Sequence, residues 1–259
     1  MTLSQNRHWI LTLCAASLAA ACVTVRPPGG LEPSKANLPE AARDNTALGV
    51  GYLRQGRLDL ALEKLRRAVQ EDPSYAPAHS TLAIAYAQRG DQQLAETEYR
   101  RALDLGDDPA VRNNFGAFLC SIGKSEEADR YFMQAAHNRD YPTPEAAWAN
   151  AGVCARKAGD QARADADFRE ALRLNANFAD ALEPLAAQAY ADHDYLQAES
   201  YLQRYERAGP QTAQTLALGA SIQHALGRAD AARDYELKLI RNFPDSDETA
   251  HLLQRNPAP

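Results

Sequence analysis

From residue 42 onward the chain repeats itself with a period of about 34 residues, and no other feature restricts its fold as much. A period of that length is one helix–turn–helix unit. Such a unit is too small to bury its own apolar face, so it is stable only when stacked on copies of itself. The register is carried by small residues where two helices must cross closely. Gly49, Ala83, Gly116, Gly152 and Ala186 hold that place on the first helices. Ala61, Ala95, Ala128, Ala164, Ala198 and Ala232 hold the matching place on the second helices. Larger residues fill the space between, such as Tyr52 and Leu65, Tyr86 and Tyr99, Leu119 and Phe132, and Phe168. Gly56, Gly90, Gly123, Gly159 and Gly227 mark the ends of first helices, where a left-handed residue is easiest. The fifth and sixth units keep fewer of these positions.

The pattern identifies the unit as a tetratricopeptide repeat. The expected fold is all-α, a solenoid of about six such repeats over residues 42–246, with the first helices lining a concave face. Alanine and leucine dominate and aromatic residues are only 7%, which favours helices over strands. The third unit runs long through Asp140-Tyr141-Pro142-Thr143-Pro144-Glu145, whose prolines stiffen a loop and fix the next helix start at Glu145. Residues 247–259 end in Asn-Pro-Ala-Pro and read as a frayed tail.

The first 21 residues read as an address. Arg7 and His8 precede an apolar run from Trp9 to Ala21 that is too short to span a membrane and ends in small residues. Leu18-Ala19-Ala20-Ala21-Cys22 resembles the lipobox of bacterial lipoproteins, in which the cysteine becomes the acylated N-terminus. Simple cleavage after Ala19-x-Ala21 is the alternative. Multiple acyl chains on Cys22 would hold the protein stably on a bilayer. Residues 22–41 hold several prolines and few apolar groups, and read as a flexible spacer. Val23 follows the cysteine, and the absence of an aspartate there favours the outer membrane by likeness to lipoprotein sorting.

No catalytic chemistry is expected. The six histidines are scattered without metal-ligand spacing. Ser121-Ile122-Gly123-Lys124 matches an S-x-x-K motif but crosses a repeat turn and lacks its partner motifs. Gly123-Lys124-Ser125 lacks the upstream glycine of a phosphate-binding loop, where Phe118 stands. A formal net charge of −6 argues against a nucleic-acid partner. No cofactor, metal or small-molecule substrate is implied.

Binding residues are expected on the concave face. In the first two units these include Val50, Leu53, Arg54, Ile84 and Gln88. Val50, Leu53 and Ile84 would form an apolar strip, which either packs on itself or receives an apolar or amphipathic segment of a partner. Further along the groove turns polar, with Asn113, Arg156, Lys157, Asp180 and Glu183. Asn113 is read as facing the groove, whereas Asn114 and Asn150 are read as bonding between helices and Trp148 as core. Cys14 leaves with the signal, so Cys120 and Cys154 remain as a pair one repeat apart, in a compartment where disulfides persist. A disulfide between them is expected, with two buried free thiols as the alternative.

Three segments together resemble the PilW/PilF family of type IV pilus biogenesis and stability lipoproteins: Asn113-Asn114-Phe115-Gly116-Ala117-Phe118-Leu119-Cys120, then Tyr141-Pro142-Thr143-Pro144-Glu145, then Asn150-Ala151-Gly152-Val153-Cys154-Ala155. The likeness covers essentially the whole mature chain. It implies a lipid-anchored protein on the periplasmic face of the outer membrane. The implied partner is the type IV pilus secretin, which the protein would help to localise or multimerise as a pilotin. The competing expectation is a scaffold lipoprotein for another cell-envelope assembly machine.

Overall fold

Thirteen helices make up residues 37–255, the part of the chain that the computed structural model describes. Helices α1 (Leu38–Arg54) and α2 (Leu58–Glu71) form the first pair, α3 (Ala76–Arg89) and α4 (Gln92–Leu105) the second, and α5 (Pro109–Ser121) and α6 (Ser125–Ala136) the third. Next come α7 (Pro144–Lys157) with α8 (Gln161–Leu174), α9 (Ala179–Ala191) with α10 (Tyr195–Ala208), and α11 (Ala213–Ala225) with α12 (Ala229–Asn242). A single helix, α13 (Asp247–Arg255), closes the series. Cys22 and the expected signal and spacer up to residue 36 lie outside the described residues.

Local sequence sets the helix ends. Proline occupies the first turn of α3, α5 and α7, where its missing N–H costs nothing. The Asp108 carboxylate accepts the Ala110 N–H at 2.8 Å, and Thr212 and Thr215 cap each other at the start of α11. First helices end on left-handed residues, and in the fifth unit that residue is His193 at φ 63° instead of a glycine.

Close crossings then lock each pair. A Cβ added to Gly116 would lie 2.7 Å from the Phe132 ring and 3.1 Å from the Ala128 carbonyl oxygen, so the ring packs on bare backbone. The sixth unit uses the same device, with Gly219 against Tyr235. Second helices present a clean stripe inward, as Ala61, Leu62, Leu65 and Ala68 do in α2. The largest core cluster runs from α2 into α7 and includes stacked Tyr99 and Phe115, with ring centroids 5.1 Å apart. Each fully buried Phe or Leu stabilises by about 1.5–3 kcal/mol. Between units, Lys124 reaches Glu96 at 2.8 Å and Arg228 reaches Glu199 at 2.6 Å. These exposed pairs are each worth about 0–1 kcal/mol and set register more than stability.

The structure departs from the expected boundaries at both ends. Residues 38–41, expected in the spacer, form the first turn of α1. Residues 247–255, expected to fray, form α13. Leu252 of α13 packs on the cluster of Leu216 and Leu239, and the Thr249 hydroxyl donates to the Phe243 carbonyl at 2.8 Å. This helix stands where a seventh unit would begin, and it covers apolar surface that α11 and α12 would otherwise leave in water. The long third connection has a purpose too: it delivers Tyr141 into a small buried cluster with Ala135 and Ala147.

Candidate functional site

Among the described residues no helix pair precedes α1, and that decides its chemistry. Leu48 and Leu82 occupy equivalent repeat positions. Leu82 is 2% exposed beneath the preceding unit, whereas Leu48 is 50% exposed. With Asp44, Ala47, Gly51, Tyr52 and Gln55, Leu48 lines a hollow of about 640 Å³ on this outer side of α1. The floor lies over Gly51, where an added Cβ would meet nothing within 4 Å. The Arg57 guanidinium lies 5.2 Å from the centre of the Tyr52 ring and gives the rim a positive charge. An apolar hollow beside a cation can take an amphipathic segment.

The expected groove residues divide. Val50, Leu53 and Ile84 are half-buried, and Leu53 and Ile84 lean on the first core cluster. The strip is therefore partly spent on the protein's own packing. Arg54 and Gln88 are exposed, as are Arg156, Lys157 and Asp180. Trp148 is half-buried against the second core cluster, with His137 edge-on at 5.5 Å.

Asn113 is a correction. It is not an open groove residue: it is 8% exposed, and its Oδ1 accepts the Asn150 side-chain N–H at 3.0 Å. Asn114, expected to make such a bond, is exposed. The reason lies in how closely α5 and α7 approach. Cys120 and Cys154 are joined in a disulfide with Cα atoms 5.7 Å apart, and Asn113 is enclosed in the same seam. No groove opens there.

Near that seam lies a buried carboxylate with one oxygen left without a hydrogen bond. The Asp167 side chain is buried, its Oδ2 has no hydrogen-bond partner, and the Arg163 Nε stands 3.7 Å away. Arg163 is already engaged by Asp129. Desolvation pushes Asp167 up to about 6, against the pull of Arg163 and with the help of Asp129 and Asp160. Among the described residues no cluster of histidine, cysteine and carboxylate side chains could hold a metal ion, and no helix is long and apolar enough to cross a membrane.

Sequence reading missed the hollow because Leu48 obeys the repeat pattern. The available signal was its place in the first unit of the repeat series.

Comparison with known proteins agrees with this architecture. Two tetratricopeptide repeat family models match, one over residues 46–109 and 184–247 and the other over 145–178. The type IV pilus assembly protein PilF of Pseudomonas aeruginosa is 33% identical over 229 residues, 88% of this chain and 90% of that protein. A solved structure of Pseudomonas aeruginosa PilF superposes with a TM-score of 0.74 at 31% identity, covering 85% of this chain and all of that one. The crystal structure of PilW, a widely conserved type IV pilus biogenesis factor, gives a TM-score of 0.72 at 31% identity, covering 83% and 99%.

Proposed function

The chain belongs to the PilF/PilW family of type IV pilus assembly tetratricopeptide-repeat proteins, and from that premise we propose that it is a pilotin for the pilus secretin. It works by binding and not by catalysis. In this reading a lipid on Cys22 holds it on the periplasmic face of the outer membrane. An apolar or amphipathic segment of a secretin subunit docks on the first repeat, and the subunit is thereby delivered to the membrane in which it multimerises.

The observation that carries the reading is the exposed Leu48 over the hollow floored by Gly51. A leucine half in water on the outer face of α1 is surface that a partner can cover. Burying it contributes up to about 1.5–3 kcal/mol, which is roughly a ten- to hundredfold change in affinity. Val50 and Leu53 lie on other faces of α1 and do not line the hollow, and the Arg57 guanidinium beside Tyr52 supplies charge for an acidic flank. The site lies on the helix nearest the spacer and Cys22 in sequence, so a docked segment would be held close to the bilayer.

The test is Leu48→Glu in the full chain, read by secretin multimers in the outer membrane and by helix content of the purified protein. The expected result is loss of multimers with unchanged helix content. Multimers at wild-type level in a folded Leu48→Glu, Leu53→Glu double variant would place the contact elsewhere. Leu48 is the cleaner probe, because Leu53 and Ile84 also support the core. Cys22→Ser tests the anchor separately: the protein should leave the membrane fraction, and an unmodified Cys22 in the mass spectrum of the wild type would reject lipidation.

A further inference from the structure

The last units carry a second cleft that the secretin reading does not use. It holds about 710 Å³ between α11, α12 and α13, with Tyr190 of α9 on its edge. First helices elsewhere run 13 residues or more, whereas α13 spans 9 described residues, and its Glu248, His251 and Leu252 line the cleft. The floor is apolar, made by Ala220, Leu239 and Leu252. The walls carry Glu236 and Glu248 together with His224 and His251, and among the described residues no lysine or arginine lines the cleft. Glu236 is held in place by the His224 ring, with Nε2 and Oε1 2.8 Å apart, and its side chain is 18% exposed.

A cleft of this size is within the range that takes a ligand or several side chains of a partner. An apolar floor between acidic walls selects its occupant. An acidic segment would meet like charge, and a wholly apolar one would bury both carboxylates with only the His224 ring beside Glu236 to answer them, both at a cost. A segment with a cation and an aliphatic side chain satisfies walls and floor together. We propose that this cleft docks a basic amphipathic segment of a protein partner, with a lysine or arginine answering Glu236 and Glu248 and a neighbouring Leu, Ile or Met on the Ala220–Leu239–Leu252 floor. The protein then has two docking surfaces of different chemistry, an apolar one with a basic rim on α1 and an acidic-walled one at α11–α13. It could hold two segments at once.

The experiment selects random dodecapeptides displayed on phage against the mature chain, with counter-selection on a Glu236→Lys, Glu248→Lys protein checked for native helix content. Enriched peptides should carry Lys or Arg within one helical turn of Leu, Ile or Met. Synthetic copies should bind the wild type at least tenfold more tightly than Glu248→Lys or the milder Glu236→Gln, and should lose affinity with added salt. Leu48→Glu should leave that binding within twofold, which separates this site from the one on α1. Four outcomes would each overturn the proposal: no enrichment, enrichment of acidic or uncharged peptides, equal binding by the glutamate variants, or binding lost only in Leu48→Glu.

Discussion

Gly51 and Gly116 lie in first helices of the same kind and should answer the same substitution in opposite ways. At Gly116 a methyl group meets the Phe132 ring at 2.7 Å and a backbone carbonyl at 3.1 Å, so Gly116→Ala should destabilise by about 1–3 kcal/mol through overpacking. At Gly51 a methyl group meets nothing, so Gly51→Ala should stabilise by about 0.5–1 kcal/mol through the lower entropy of the unfolded chain. Urea unfolding of the two variants checks both signs. Asp167 makes a third statement at this scale. Its carboxyl is raised to about 6 by burial, whereas the unfolded chain releases that proton near pH 4. The native state therefore holds a proton that the unfolded state has lost, and the group favours folding more as pH falls from 7 through 6. Above pH 6 its buried charge is a penalty. Asp167→Asn should stabilise at pH 7.5 by on the order of 1–3 kcal/mol, and the gain should vanish by about pH 4. A constant difference between variant and wild type from pH 5 to 8 would reject this.

The third and fourth first helices, α5 and α7, are the elements where sequence and structure can be compared most closely. Their Cys120–Cys154 bridge closes a loop of one repeat, and the chain-entropy model gives such a loop about 3–4 kcal/mol. Thiol titration of denatured, unreduced mature protein should find no free thiol from these two residues. Cys120→Ala, Cys154→Ala should lower stability by about that amount, and two titratable thiols would reject the bridge. The helix pairs were legible because their signal is local and repeated: a bare backbone at Gly116 and Gly152 needs a ring from the next helix, and Phe132 and Phe168 stand one fixed spacing later. Asn113 was not legible. Its burial depends on how closely α5 approaches α7, and a period gives the order of helices but not the gap between them. α13 was missed for a related reason: with no second helix it has no crossing pair, and its covering of Leu216 and Leu239 is purely tertiary. The hollow on α1 was hidden by the opposite cause, since Leu48 follows the pattern and is exposed because no described unit precedes α1.

Each helix pair touches mainly the pairs beside it in the series, so stability in the whole molecule should be a sum of neighbour terms and not one cooperative block. The terms are unequal. The cluster from α2 to α7 contains Phe115, Phe132, Leu65 and Leu119 and is crossed by the disulfide, whereas α11 and α12 depend on α13 for cover. Amide exchange should therefore be slowest in α5–α7 and fastest in α1 and α13. Deleting residues 247–259 sharpens the test. It removes Leu252 from the Leu216–Leu239 cluster, along with the Thr249 bond to Phe243. The lost burial is worth about 1.5–3 kcal/mol, roughly ten- to hundredfold in opening rate. That acceleration should appear in α11 and α12 and stay within twofold in α3–α8. Equal acceleration throughout would mean that the units unfold together. The distinction bears on function, because in a chain of neighbour terms a change at the acidic cleft leaves the α1 surface folded. A partner could then loosen or secure one end while the other keeps its grip.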